Sequence, residues 1–270
     1  MGSFYEKYEL LNELGSGSMG SVDECVEKET QIHYACKKIE LRLDPWNELQ
    51  WMKNLVHDNI VEVAGNYQDD KYVYIVMELC RGGTLYDRII QKGAYDEPSA
   101  AKVMHQIMNA LQYCHETAGV CHGDGKPYNM MYNVDDDEDA VLKLIDFGYT
   151  AKVTDAFSIM NDGPRVDVRD AGVILYSLLY GEYTDRTPIE LKRRVTEGTF
   201  DLYLMEKPIL ISQEAKDLLV KMMSEDPNNR PTASQVLDHP WIKTRIHDDD
   251  SSPQGDSSEI TRCGECCRIL

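Results

Sequence analysis

Positive charge is scarce in this sequence. Lysine and arginine together number 28 against 47 aspartates and glutamates, a formal charge of −19 over 270 residues. Such a surface repels phosphate backbones and anionic bilayers, so nucleic acid and polybasic membrane docking are excluded as expectations. Long apolar runs are also missing. No window reaches the ~18 uninterrupted apolar residues of a membrane span, and no transmembrane segment is expected. The opening MGSFYEKYELL meets charge at once and lacks the apolar stretch of a secretory leader. Cysteine is present without framework spacing: Cys25, Cys36, Cys80, Cys114 and Cys121 are scattered through the body. Free, mostly buried thiols in a reducing, cytoplasmic compartment are therefore expected. No internal repeat is visible. What remains is a 42% apolar chain, long enough for one large domain or two lobes.

The periodicity changes several times along the chain. YELLNELGSG, SVDECVEK and IHYACKKIE read as short strands bounded by glycine or charge. After Pro45, WNELQWMKNLV repeats at four (Trp51 with Leu55, Glu48 with Met52), which predicts a helix. NIVEVAGNYQDDKYVYIVMELC returns to strand, with a hairpin tip at Asp69 to Lys71, and RGGTLYDRIIQKG resumes as a short helix. Glu97 to Thr117 is predicted helical, with Pro98 near its start and a buried stripe of Val103, Ile107, Ala110, Leu111 and Cys114. VLKLIDFG is a strand, and VDVRDAGVILYSLLYG a helix buried on most sides. PIELKRRVTEG and SQEAKDLLVKMMSED follow as helices, and Thr232 with Gln235 forms a capping box for the last one. The fold class is α+β: a small, mostly β lobe followed by a larger helical one.

Three stretches carry chemistry. In LGSGSMGSV, Gly15, Gly17 and Gly20 stand at G-x-G-x-x-G spacing with Val22 two positions on, the pattern of a hairpin whose N–H groups cover phosphates. Strand character after the glycines disfavours a dinucleotide fold, which wants a helix there. One strand later, Lys37 shares the parity of Ala35 and Ile39, which points it to the buried or ligand side, and Glu48 follows eleven residues on. HGDGKPYNMM then places Asp124, Lys126 and Asn129 in one short loop, ahead of Asp146 in LKLIDFGYTAK.

In order and spacing, these residues resemble the eukaryotic protein kinases: Gly15/Gly17/Gly20/Val22, Ala35-x-Lys37, Glu48, Asp124-x-Lys126-Pro127-x-Asn129 and Asp146-Phe147-Gly148. GGTLYDRII, DVRDAGVILYSLLYG and AKDLLVKMMSEDPNNRPTASQVLDHPWI look like the calcium/calmodulin-dependent and calcium-dependent group, and the likeness runs from Tyr8 to about Ile242. It implies a bilobal kinase domain over 1–247, with an N-lobe over 1–80 and a C-lobe over 81–247. It implies ATP and Mg2+ as cofactors and serine or threonine of a protein substrate as acceptor. By the same resemblance Lys37 contacts phosphates with Glu48 holding it, Asp124 orients the acceptor hydroxyl, and Lys126 neutralises charge at the γ-phosphate. Asn129 and Asp146 are the metal ligands, hard oxygens for a hard cation. The nucleotide lies against Leu14, Gly15, Ser16, Gly17, Gly20, Val22, Ala35, Met77, Glu78, Cys80 and Met131, with Glu78 and Cys80 offering backbone groups. Met52, Val63, Phe147 and His122 form an apolar column rooted on Asp167, which is expected to brace the backbone of the loop at His122 to Asp124.

The pattern also fails in places. Gly123 replaces the arginine expected between His122 and Asp124. YTAKVTDAFSIMNDGPRV is all that separates Gly148 from Asp167, without Ala-Pro-Glu. Arg230 thereby loses the expected glutamate partner, and is expected to be exposed or re-paired, since a buried unpaired arginine is costly. Thr84 and Tyr128 stand where basophilic relatives carry glutamates. No loop with the EF-hand pattern occurs, so direct calcium sensing is not supported. Two readings stay open: an ATP-dependent serine/threonine kinase, weak or atypically regulated, and an ATP-binding pseudokinase serving as a scaffold for a protein partner.

From His247 onward the sequence is acidic and polar, expected to be disordered up to RCGECCRIL. Cys263, Cys266 and Cys267 are too few for a zinc site. Cys267-Arg268-Ile269-Leu270 fits a prenylation signal, with Cys263 and Cys266 as palmitate acceptors, giving lipid-mediated membrane contact. The upstream aspartates oppose this, and a free cysteine-rich end is the competing expectation.

Overall fold

A computed structural model of the chain describes residues 3–17, 20–135, 140–155, 162–183, 186–197 and 210–247. The cysteine-rich end, and with it the lipidation reading, lies outside the described residues. So do residues 156–161 of the shortened segment.

The amino-terminal part is one antiparallel sheet of five strands in the order β1-β2-β3-β5-β4. These are β1 (Tyr8–Gly17), β2 (Gly20–Glu27), β3 (His33–Glu40), β4 (Val63–Gln68) and β5 (Tyr72–Glu78). The β4–β5 turn falls at Asp69 to Lys71, where the Asp69 carboxylate accepts the N–H groups of Lys71 and Tyr72. Both faces of β5 are buried, as alternation at period two requires when both sides are covered. Val73 and Ile75 pack with Ile39 and Leu49, whereas Tyr74 and Val76 pack with Cys25, Cys36, Tyr8 and Phe4.

That second cluster depends on an element the sequence reading does not contain. A short helix, α1 (Phe4–Lys7), is opened by a Ser3/Glu6 capping box and sets Phe4 against Tyr74 at 4.5 Å between ring centroids. The helix after Pro45, α2 (Trp46–Met52), is shorter than its periodicity suggests. Val56 finds no apolar cover and is 79% exposed, its N–H going instead to the Tyr113 hydroxyl at 3.1 Å, so the helical stripe has nothing to bury beyond Leu55.

The carboxyl-terminal part is helical. It comprises α3 (Leu85–Lys92), α4 (Glu97–Gln112), α5 (Arg165–Tyr180), α6 (Pro188–Glu197), α7 (Gln213–Met222), α8 (Ala233–Leu237) and α9 (Pro240–His247). The α4 stripe Val103, Ile107, Ala110 and Leu111 is buried, and Cys114 is buried in the wider π-type turn that ends the helix before Gly119. Helix α5 is buried on most of its surface, and at Gly172 a side chain would start 3.0 Å from the Met222 Cβ, so α5 and α7 approach closely there. The capping box at Thr232 and Gln235 opens α8, both hydrogen bonds present. Small strand pairs, β6 (Val120–Cys121) with β9 (Ala151–Lys152) and β7 (Met130–Tyr132) with β8 (Leu142–Leu144), hold the loops between sheet and helices. The five body cysteines are free thiols, four of them buried and Cys80 partly so. No helix among the described residues is long and apolar enough to cross a membrane.

Candidate active site

Between the sheet and the helices lies a cavity of about 500 Å³, and every candidate residue read from the sequence lines it. Its roof is the β1–β2 hairpin, where Gly17 pairs with Gly20 at the tip. Among the described residues nothing lies within 4 Å of where a side chain on Gly15 or Gly17 would begin, so the tip is open backbone. Gly20 is there for a different reason: at φ +143 an added Cβ would meet the Lys38 carbonyl oxygen at 2.2 Å.

On β3, Ala35, Lys37 and Ile39 face the same way, as their parity predicts, with Ala35 opposite Met77 and Lys37 opposite Ile75 on β5. The Lys37 ammonium donates to both Glu48 carboxylate oxygens, at 2.6 and 2.8 Å, and to Asp146 Oδ1 at 2.9 Å. Lys37 and Glu48 are 8% and 2% exposed, so this is a buried pair rather than a solvated edge lysine and a surface glutamate. Burial works against the Lys37 charge, but the two carboxylates outweigh it and raise its pKa. Burial pushes Glu48 up, against the pull of Lys37. Asp146 is held below the ordinary aspartate value despite burial, by Lys37 and the Gly148 N–H. One ammonium shared by two carboxylates leaves a net negative charge.

The loop after β6 carries the second group. Asp124 Oδ2 accepts from Lys126 Nζ at 2.6 Å and from Asn129 Nδ2 at 2.7 Å, and Asn129 Nδ2 also reaches the Asp124 carbonyl at 3.0 Å. Burial opposes the Lys126 charge, but the Asp124 carboxylate outweighs it and raises the lysine pKa. Because the Asn129 amide donates inward, its carbonyl oxygen is left to the cavity. Together with the Asp146 carboxylate it offers a hard oxygen donor set, which fits a magnesium ion. Asp146 itself adopts φ +62, a left-handed conformation that costs a non-glycine residue ~1–3 kcal/mol and collects at functional sites.

The expected brace is present. Asp167, 1% exposed, accepts the His122 N–H at 2.9 Å and the Gly123 N–H at 2.8 Å, and its carboxylate pairs with His115 Nε2 at 2.7 Å. Burial opposes ionisation, but His115, His122 and the Gly123 N–H hold Asp167 below its ordinary range. The His122 ring stands edge-on to Phe147, centroids 4.9 Å apart, and Phe147 and Met52 share one apolar cluster against which Val63 packs.

Arg230 is re-paired rather than exposed. It is 3% exposed and donates to Asp162 Oδ2 at 2.8 Å and to the carbonyls of Ser224, Arg165 and Glu225. Asp162 was not among the sequence candidates. Its only signal was an acidic residue just ahead of the buried helix. Of the two positions without glutamate, Thr84 caps α3 through the Asp87 N–H, and Tyr128 stacks on Tyr86. Glu78 differs from its expected role in part: its N–H is taken by the Glu62 carbonyl and its side chain by the Glu62 N–H and Lys143, while the residue still lines the cavity. The sequence reading also missed Val61, Leu79, Ile145 and Tyr149 as lining residues. For the first three no signal separates a cleft wall from core; Tyr149, 59% exposed, follows Gly148 directly.

Compared with known proteins, the chain matches the protein kinase domain over residues 8–163 and 158–242, two pieces that meet inside the short segment before Asp167. It is 40% identical over 269 residues to calcium-dependent protein kinase 25 of Arabidopsis thaliana, covering 90% of this chain and 51% of that one. It is 37% identical over 286 residues to calcium-dependent protein kinase SK5 of Glycine max, covering 95% and 55%. The chain thus spans about half the length of the curated relatives it matches.

Proposed function

Since the chain belongs to the protein kinase domain family, we propose that it transfers the γ-phosphoryl group of ATP to serine or threonine of protein substrates. The observation that carries this is the Lys37 ammonium held between Glu48 and Asp146 at 2.6 to 2.9 Å, in the same cavity as Asp124, Lys126 and Asn129. Phosphoryl transfer asks a protein mainly for position and charge stabilisation.

Each group has a distinct task. Lys37, fixed by Glu48, presents a permanent positive charge to the α/β-phosphates. Asp124 accepts the proton of the acceptor hydroxyl as its oxygen bonds to the γ-phosphorus and the bond to the β–γ bridging oxygen breaks, leaving ADP. Lys126, already hydrogen-bonded to Asp124, offsets charge on the moving phosphoryl group. Asn129 and Asp146 would hold magnesium, which supplies charge neutralisation across the phosphates when bound. Val22, Ala35 and Met131 enclose the base. The shortness of the segment before Asp167 motivates weak or unusually regulated activity. Calcium dependence, part of the relatives' names, is not part of this proposal, because no EF-hand pattern occurs in these 270 residues.

The test is transfer of labelled phosphate from Mg-ATP to a mixture of basic and acidic proteins, comparing wild type with Asp124→Asn. Label in the wild type that drops by about a hundredfold or more in the variant is expected; equal label in both would remove the proposal. One observation favours the second reading, an ATP-binding pseudokinase scaffold. Gly123 has no side chain with which to hold the activation segment. Stabilisation by Mg-ATP in a thermal melt without transfer to any protein would establish that reading instead.

A further inference from the structure

The sheet that roofs the nucleotide cleft is tied to the carboxyl-terminal part at a point just outside the cavity lining. On β2, Glu24 stands two residues after Val22, on the same face of the strand, and opposite Ala35 on β3. Val22 and Ala35 line the cavity, so Glu24 continues the roof beyond them. Its Oε1 accepts from Arg81 Nη2 at 2.7 Å and from His33 Nδ1 at 2.6 Å. A carboxylate only accepts, so His33 carries a proton on Nδ1.

Arg81 belongs to the other part of the molecule. It lies three residues past β5, on the connecting segment whose Leu79 and Cys80 also line the cavity. Its N–H donates to the Asn133 carbonyl at 3.0 Å, and the Gly82 N–H donates to the Tyr132 carbonyl at 2.9 Å. The segment lies directly on that chain: a Cβ on Gly82 would meet the Val134 carbonyl oxygen at 2.0 Å. Backbone bonds thus fix Arg81 to the carboxyl-terminal part, whereas its guanidinium reaches across to the sheet. Any opening of the roof away from the connecting segment must separate Glu24 from Arg81.

Arg81 and His33 hold the Glu24 carboxyl below the ordinary glutamate range, so the pair is charged near neutral pH. Glu24 is 9% exposed, but the Arg81 side chain is 58% exposed. A pair with one solvated member adds little to global stability. Its position matters more, because it biases one motion, the opening of the cleft.

We propose that Glu24 and Arg81 are positioning residues for the nucleotide, an ionic latch that holds β2 down on the connecting segment and slows release of ATP and ADP. The proposal rests on the kinase reading above for its nucleotide, and adds to it what keeps Val22 and Ala35 closed over the base.

Release of a fluorescent ADP analogue in the presence of magnesium, followed by stopped flow, tests it. Glu24→Gln and Arg81→Met should each release the analogue about two- to fivefold faster than wild type, the range of a partly exposed pair. The double variant should be no faster than either alone, since both changes remove the same contact. Raising salt from about 0.05 M to about 0.5 M should speed release from wild type and leave the variants nearly unmoved, which a purely structural role would not produce. Wild-type release rates in both single variants, or accelerations that multiply in the double variant, would overturn the latch and leave the kinase reading standing. A wild-type chain that retains no analogue would remove the nucleotide reading and the latch together.

Discussion

Arg230 and Asp162, 68 residues apart, meet at 2.8 Å with the arginine side chain only 2% exposed. Asp162 also takes Arg169 at 3.2 Å, so a single carboxylate serves two guanidinium groups where α5 begins. Removing one partner of a buried ion pair leaves an uncompensated charge and costs ~3–5 kcal/mol. Asp162→Ala is therefore expected to lose about that much in urea unfolding, and adding Asp162→Ala to Arg230→Met, where the guanidinium is already gone, clearly less. Equal losses from Asp162→Ala in the two backgrounds would show that the Arg230 pairing is not what Asp162 contributes.

The brace under the Asp124 loop predicts a local effect. In Asp167→Ala the N–H groups of His122 and Gly123 lose their acceptor, at ~1–3 kcal/mol for each buried group left unsatisfied. Amide hydrogen exchange at His122 and Gly123 should speed up far more than in the strands β1 to β5. Unchanged protection at those two amides would remove Asp167 from this role.

Gly123 adopts φ +80 while donating its N–H to Asp167. A Cβ there is strained, so Gly123→Ala should cost ~1–2 kcal/mol although the side chain is minimal. Thermal melts decide it, and a neutral result would mean the loop relaxes out of the left-handed region.

Lys37→Met removes the ammonium that Glu48 and Asp146 share. Losing charge-assisted hydrogen bonds of ~1.5–3 kcal/mol should raise the Kd for Mg-ATP by about ten- to a hundredfold in titration calorimetry. Wild-type affinity in the variant would separate Lys37 from the nucleotide altogether.

Asp170 provides a pH signature. Burial pushes its carboxyl up to about 6, with Arg169 pulling against it and Asp167 and Asp124 adding to the rise. The folded chain thus binds this proton more tightly than the unfolded chain does, and ionisation costs stability. That cost is absent below the unfolded value near 3.8, grows as pH rises toward 6, and is complete above it. Melting curves of Asp170→Asn should gain on wild type by up to ~3 kcal/mol between pH 4 and 7 and run parallel above. A gap independent of pH would contradict the shift.

Strand and helix identities were legible because they depend on local periodicity. The alternation of Ala35, Lys37 and Ile39 already pointed the lysine at the cleft, and Thr232 with Gln235 already marked the start of α8. The likeness to the protein kinases in order and spacing is what assembled Glu48, Asp124, Asn129 and Asp146 into one candidate site. Helix α2 was overestimated because a repeat at four reports burial and not helix: the helix ends at Met52, yet Leu55 beyond it is buried.

What the sequence by itself determined, then, were the features that neighbours within a few residues decide, namely turn glycines, caps and side-chain parity, together with the ordered ligand set that its likeness to the protein kinases marked. Only the tertiary structure decided that Arg230 takes Asp162, that Phe4 completes the outer face of the sheet against Tyr74, and that Tyr86, Tyr128 and Tyr183 gather beside Asp124. Each of these joins residues tens of positions apart, and their meeting depends on the path of the whole chain and on which buried charges and rings find partners when it closes. No local period carries that information.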